Sequence, residues 1–256
     1  MTLRTIVPVR TSLDAQRPPR GIDQHFHKEI PMIPLPRTVI ERMGRVLSNA
    51  RVIEGGCISS ELPSVPHMEE SGRRLLEARL SESNVYLEYG AGGSTILAAK
   101  MAVRKIYSVE SDAFYLKKIG MKLANDYHFS GFSPCFVDIG PTKEWGMPIN
   151  ISCASRWPAY CMAGWGEMKA AQCTPDLILV DGRFRVASFL ASLIHAKEGV
   201  PILFDDYFDR SYSSVVERYI KPHSRAGRMA EFIADKSIHD MGGLVSDLVI
   251  AATDPR

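Results

Sequence analysis

Residues 85–95 read Val-Tyr-Leu-Glu-Tyr-Gly-Ala-Gly-Gly-Ser-Thr, an apolar run that breaks into glycines and continues as a helical pattern. This is the signature of a buried strand turning sharply into a helix. Glycine lets the main chain turn and lets a ligand approach without a Cβ in the way, while the helix N-terminus offers unpaired N–H donors. The segment reads as a nucleotide loop, with an ordinary strand-to-helix turn as the bland alternative.

The pattern around it repeats. Short apolar runs at Val85–Tyr89, Lys105–Val109, Cys135–Asp138, Leu177–Val180 and Pro201–Phe204 alternate with helical stretches at Ser94–Val103, Ala113–Asp126, Phe184–Ala196 and Ser213–Ile220. That alternation predicts an α/β domain with a mostly parallel sheet and helices on both faces. A helix over Pro66–Leu80 leads in, with Pro66 in its first turn. Arg228–Ala234 and Leu248–Thr253 read as a closing pair of strands. The short link between them, residues 237–243, forces them antiparallel.

Residues 1–62 are set apart as an N-terminal extension. They begin rich in proline, and Val39, Ile40, Met43, Val46 and Leu47 define one amphipathic helix over Thr38–Ala50. The domain proper is expected at 63–256, with an insertion at about 141–175 that is too long for a simple crossover.

Composition narrows the function classes. The chain has 256 residues, 45% hydrophobic and 23% charged, as ordinary globular proteins do. Its net charge of +2 gives no global field for nucleic acid or an anionic membrane. Cys57, Cys135, Cys153, Cys161 and Cys173 form neither a disulfide framework nor a zinc pair and read as reduced thiols, so the expected location is the cytoplasm. No apolar run is long enough for a membrane helix or a signal peptide. Arg4, Arg10, Arg17 and Arg20 give a basic arm, but Pro8, Pro18 and Pro19 spoil a transit helix there.

Two acids stand at useful places relative to the glycine turn. Glu110 ends the second strand about twenty residues on, where a carboxylate can accept both hydroxyl hydrogens of a ribose. Asp138 ends the third, where an adenine amino group could be met. A dinucleotide fingerprint would want an apolar residue in place of Glu88 and glycine or alanine near Ser94–Thr95. Glu88 instead suits a cationic ligand, whose ammonium it could orient directly or through water.

These residues resemble the class I, Rossmann-like S-adenosylmethionine-dependent methyltransferases, whose first motif is an acid followed by GxGxG. Glu88, Gly90 and Gly92 match it, with Ser94 in place of the last glycine. The strings LEYGAGGST, VDIGPTKEWG, LVDGRFR and LFDDY are similar to a bacterial group of methyltransferase-like proteins. The resemblance covers about Met68–Thr253. It implies a seven-stranded, mostly parallel sheet of order 3-2-1-4-5-7-6 with the last strand antiparallel. It further implies S-adenosyl-L-methionine as cofactor, held by Glu88, Gly90, Ala91, Gly92, Ser94, Thr95, Glu110, Asp138 and Asp181.

Asp181 ends the fourth strand and Asp205 and Asp206 end the fifth, so all three carboxylates should gather at one sheet edge. Three oxygen donors suit Mg²⁺, an arrangement similar to metal-dependent O-methyltransferases of the catechol and macrolide-sugar types. The competing reading pairs them with Arg183, Arg185 or Arg210, leaving Asp205 or Asp206 as a base. No position of His195, His223 or His239 demands catalysis, and the His25–His27 pair lacks a third metal ligand. Trp145, Trp157 and Trp165 in the insertion either line pockets or pin it to the sheet.

The expected activity is methyl transfer to oxygen on a small hydroxylated acceptor, with Asp181, Asp205 and Asp206 as catalytic and metal-ligating candidates. A non-catalytic Rossmann-like nucleotide-binding or regulatory protein, and an NAD-dependent oxidoreductase, are the alternatives. The expected partner is a small molecule, with neither nucleic acid nor membrane, and a homodimer is left open.

Overall fold

A computed structural model describes residues 62–256. The expected N-terminal helix over 38–50, the His25–His27 pair and Cys57 lie outside the described residues.

The elements run α1 (Glu70–Ser81), β1 (Val85–Tyr89), α2 (Gly93–Lys100), β2 (Lys105–Glu110), α3 (Ala113–Tyr127), β3 (Phe132–Phe136), α4 (Pro158–Ala170), β4 (Leu177–Val180), α5 (Arg185–His195), β5 (Pro201–Phe204), α6 (Ser213–Val216), β6 (Ser224–Ala226), β7 (Met229–Ile233) and α7 (Met241–Ala251). Strand order is β3-β2-β1-β4-β5-β7-β6. The first five strands are parallel, while β7 runs antiparallel to both β5 and β6.

Alternation along the strands builds two cores. Leu87, Tyr89, Tyr107, Val109, Ile178, Val180, Ile202 and Phe204 pack with residues of α4, α5, α6 and α7. Tyr86, Ile106, Leu177, Leu179 and Leu203 pack with residues of α1, α2 and α3. Covered on both faces, β4 can be uniformly apolar, and all of Leu177–Val180 is buried.

Three expectations are corrected. The third strand lies at Phe132–Phe136 instead of Cys135–Asp138: Ile106 donates to the Gly131 carbonyl at 3.0 Å and starts the pairing there. Pro134, which breaks the apolar pattern, is admissible because β3 is the sheet edge. Leu248–Thr253 is not a strand, since Met241–Ala251 is a helix whose N-cap Asp240 accepts from Gly243 N–H at 2.8 Å. The hairpin partner of β7 is the polar three-residue β6 before it, joined through Gly227 (φ 63°) and Arg228.

The insertion is a crossover after all. Two single turns, Glu144–Gly146 and Ala154–Arg156, precede α4, which carries the chain from β3 to β4. Trp157 and Trp165 are buried, Trp157 donating to the Ile139 carbonyl at 3.0 Å and Trp165 stacking on His195. They pin the crossover to the sheet. Likewise, Ser213–Ile220 holds a single helical turn, Ser213–Val216, and α1 begins only at Glu70 because Val65 and Pro66 lie against Gly93.

Candidate cofactor and acceptor site

The parallel strands end together at one sheet edge, and the glycine turn rises from its centre. Gly90 has φ +91°, and a Cβ there would sit 2.8 Å from the Gly182 α-carbon. The turns after β1 and β4 therefore touch backbone to backbone, which only glycine at both positions allows. Gly92 differs: a Cβ there would meet only the Tyr115 hydroxyl, at 3.6 Å, so this side of the turn is open to a ligand. Thr95 folds back to accept from Gly92 N–H at 2.9 Å and closes the first turn of α2.

Glu88 points inward. It is fully buried, and its carboxylate accepts from Ser94 at 2.6 Å, Ser108 at 2.5 Å, Tyr86 at 3.2 Å and Thr95. Burial raises its pKa to about 7 against the opposing pull of the hydroxyls. Ser94 and Thr95 are thus spent on Glu88, and the three fix the turn from beneath with no face presented for direct contact with an ammonium.

Glu110 holds the turn from the side. Its Oε1 accepts from the Ser111 and Asp112 N–H groups at 2.6 and 3.0 Å, and Oε2 accepts from Ala91 N–H at 3.2 Å. Oε2 keeps acceptor capacity for a diol. Burial raises the pKa of this carboxyl also. The sequence reading missed Tyr115, whose hydroxyl stands over Gly92 from the first turn of α3; its place three residues after the Asp112 cap, which accepts from its N–H, was the available signal.

Asp138 lies two residues beyond β3, accepting from Gly140 N–H at 3.0 Å and pairing with Arg156 at 2.7 Å. Asp138 and Arg156, together with Phe136, Ala159, Met162 and Ala163, line an open groove of about 580 Å³. Trp145 stands apart, largely exposed, its ring 5.4 Å from that of His67.

A methyltransferase-like protein (spo2022) from Silicibacter pomeroyi DSS-3, of known structure, is 32% identical to this chain, covering 74% of it and 97% of its own length with a TM-score of 0.67. The chain belongs to the class I, Rossmann-like S-adenosylmethionine-dependent methyltransferases. A more distant likeness is to the O-methyltransferase from Bacillus cereus solved with SAH, 14% identical, covering 88% and 83% with a TM-score of 0.41, too remote to assign residues here. No family model and no curated protein matches the sequence.

In this chain the expected Mg²⁺ ligands are otherwise engaged. Asp181 pairs with Arg185 at 3.1 Å, and Asp206 pairs with Arg228 at 2.8 Å, Arg185 at 3.2 Å and Arg210 at 3.4 Å. Asp205 is buried beside Arg228 at 3.8 Å. Among the described residues no group of three or more His, Cys, Asp or Glu side chains is disposed to hold a metal ion. Guanidinium groups answer the charge that a divalent cation would have answered, so Asp181, Asp205 and Asp206 do not fit a magnesium site. Of the arginines weighed against metal, Arg185 and Arg210 make ion pairs and Arg183 makes none among the described residues; Arg228, in the distant β6–β7 turn, is a partner the sequence did not suggest.

The carboxylates differ in availability. Burial raises the Asp181 pKa to about 7, opposed by Arg185 and aided by Asp205 and Asp206. Asp181 also keeps 23% of its side chain exposed, against 2% for Asp205. Asp206, with φ 55° and three guanidinium partners, is an ion-pair hub. The four described cysteines are free, and no described helix is long and apolar enough to cross a membrane.

Proposed function

We propose that the protein transfers the S-adenosylmethionine methyl group to an oxygen of a small hydroxylated acceptor, without a metal ion. The observation that carries this is the glycine turn, open at Gly92 and tied through Ala91 to Glu110 at the end of β2. The cofactor, when bound, supplies a methyl group on a sulfonium leaving group. Gly90–Gly92 admit it against the backbone, Glu110 takes the ribose hydroxyls, and the Asp138–Arg156 groove receives the adenine end.

An oxygen nucleophile must lose its proton, and a base works best with a pKa near the working pH. Asp181 meets that need: it is the most exposed carboxylate of the three, engages one guanidinium where Asp206 engages three, and burial raises its pKa to about 7. Arg185, bonded to the Gly182 and Asp205 carbonyls at 3.0 and 2.7 Å, holds Asp181 in place. Asp205 and Asp206 serve to position the arginines.

Calorimetric titration tests the cofactor half. The protein should bind S-adenosylhomocysteine and not NADH, and Glu110→Ala should weaken that binding about tenfold or more, the loss of charged hydrogen bonds to a diol. Binding of NADH alone would sink the reading. A screen of hydroxylated acceptors that reads S-adenosylhomocysteine release tests the rest. With an acceptor found, Asp181→Asn should cut turnover roughly a hundredfold or more while leaving cofactor affinity intact.

A further inference from the structure

Among the described residues, the ion pairs at the edge formed by β4 and β5 leave out one arginine. Asp181, Asp205 and Asp206 meet Arg185, Arg210 and Arg228, three carboxylates against three guanidinium groups. Arg183 is the cation left over. Its main chain is engaged, the N–H donating to the Tyr160 hydroxyl at 3.4 Å and the carbonyl accepting from Ser188 at 3.5 Å. Among the described residues its guanidinium makes no ion pair, and the buried Nε has no hydrogen-bond partner. Burial and the adjacent Arg185 charge both pull its pKa below the usual value.

A second orphan lies nearby. Tyr212, 7% exposed, packs its ring 5.0 Å from Phe204 at the end of β5, and its buried hydroxyl lacks a partner. Tyr212 interacts electrostatically with both Arg183 and Arg185. The Glu144–Gly146 turn lies over the stem of Arg183: a Cβ on Gly146 would stand 3.8 Å from the Arg183 Cγ and 3.2 Å from the Ser111 hydroxyl. A buried donor without an acceptor is costly, and such groups are rare unless a ligand completes them. Here a guanidinium two residues after the proposed base and a hydroxyl, both donors, interact electrostatically at the ends of β4 and β5.

We propose that Arg183 and Tyr212 anchor the methyl acceptor, and that the acceptor is an anion, a small hydroxylated molecule bearing a carboxylate or phosphate. This rests on the methyl-transfer reading above. Arg183 follows β4 and Tyr212 packs on the end of β5, the strands that carry Asp181 and its partners, and on that placement the anchor is given to the acceptor; the Arg183 stem also lies under the Gly146 turn that meets Ser111 beside Glu110, so the titration below separates the acceptor from the cofactor's own carboxylate. A planar guanidinium binds either oxyanion through paired N–H donors, and the tyrosine hydroxyl adds a third.

The test is calorimetric titration of wild type, Arg183→Gln, Arg183→Lys and Tyr212→Phe at fixed ionic strength. Benzoate and inorganic phosphate are the probes, each with and without saturating S-adenosylhomocysteine. Wild type should bind at least one of the two, and which one distinguishes carboxylate from phosphate. Arg183→Gln should weaken that binding about tenfold or more, Arg183→Lys should retain part of it, and Tyr212→Phe should weaken it several-fold. S-adenosylhomocysteine affinity should be unchanged in all four proteins, and melting temperatures should not fall in Arg183→Gln, which removes a half-buried charge that has no ion-pair partner among the described residues. No binding of either anion by wild type overturns the proposal, as does anion binding indifferent to Arg183→Gln. Loss of S-adenosylhomocysteine affinity in Arg183→Gln, with anion binding retained, would reassign Arg183 to the cofactor. Failure of wild type to bind S-adenosylhomocysteine would strike the methyl-transfer reading alone, since the cofactor-free titrations still decide the anchor.

Discussion

At the scale of single residues, the site is built from carboxyl groups that burial holds near neutrality. Glu88 is the deepest, titrating at about 7 in the folded protein against 4.5 for the free side chain. As pH rises through that window the unfolded chain releases its proton first, so this group's contribution is complete below 4.5 and is lost as pH passes 7. The loss is about 3 kcal/mol at about 1.4 kcal/mol per pH unit. Glu88→Gln should therefore flatten the decline of melting temperature with pH between 4.5 and 8 measured by calorimetry. Parallel profiles for the two proteins would mean that Glu88 stays ionised among its four hydroxyls. Chelator gives a second residue-scale test: with Asp206 held by Arg185, Arg210 and Arg228, turnover should be indifferent to EDTA. Abolition by EDTA with recovery in Mg²⁺ would return Asp181, Asp205 and Asp206 to the metal.

At the scale of elements, the two glycine turns depend on each other. A side chain on Gly182 would meet the Tyr160 hydroxyl and Gly90 N, so Gly182→Ala must push the turns apart. It should cost roughly 1–3 kcal/mol, seen as a lower melting temperature, and weaken S-adenosylhomocysteine in the same variant. An unchanged melting temperature would show that the contact yields easily. The turn and four of the five parallel strands, β3 excepted, were legible in the sequence because burial on both faces leaves an unmistakable apolar run, as in Leu177–Val180. The closing segment was not. Leu248-Val249-Ile250 favours a strand by composition, yet it rides on a helix that buries Leu244 and leaves Val249 and Ile250 exposed, while the true strand Ser224–Ala226 carries no apolar signal. In the site, the positions of the carboxylates could be read from strand ends. Their partners could not, because Arg228 reaches Asp206 across 22 residues of chain (228 − 206) and Glu88 turns inward only by virtue of strand phase.

At the scale of the whole molecule, seven strands share one sheet and both cores press on it, so the described domain should melt in a single transition. Cofactor product bound at about 100 times its dissociation constant should stabilise the fold by about 2.7 kcal/mol. For a domain of this size that raises the melting temperature by roughly 5–10 °C, readable by differential scanning fluorimetry. A shift with NADH but none with S-adenosylhomocysteine would contradict the proposed cofactor. The sheet also ends in two margins, β3 and β6. Ile106 donating to Gly131 and Val137 to Glu110 set the phase of β3, which turns alternate N–H groups toward β2 and leaves position 134 facing outward. Pro134 offers no donor there, and β6 is only three residues long. Both margins of the described sheet are therefore poor templates for the strand of another molecule, and the same imino ring that obscured β3 in the sequence takes one donor from its open edge.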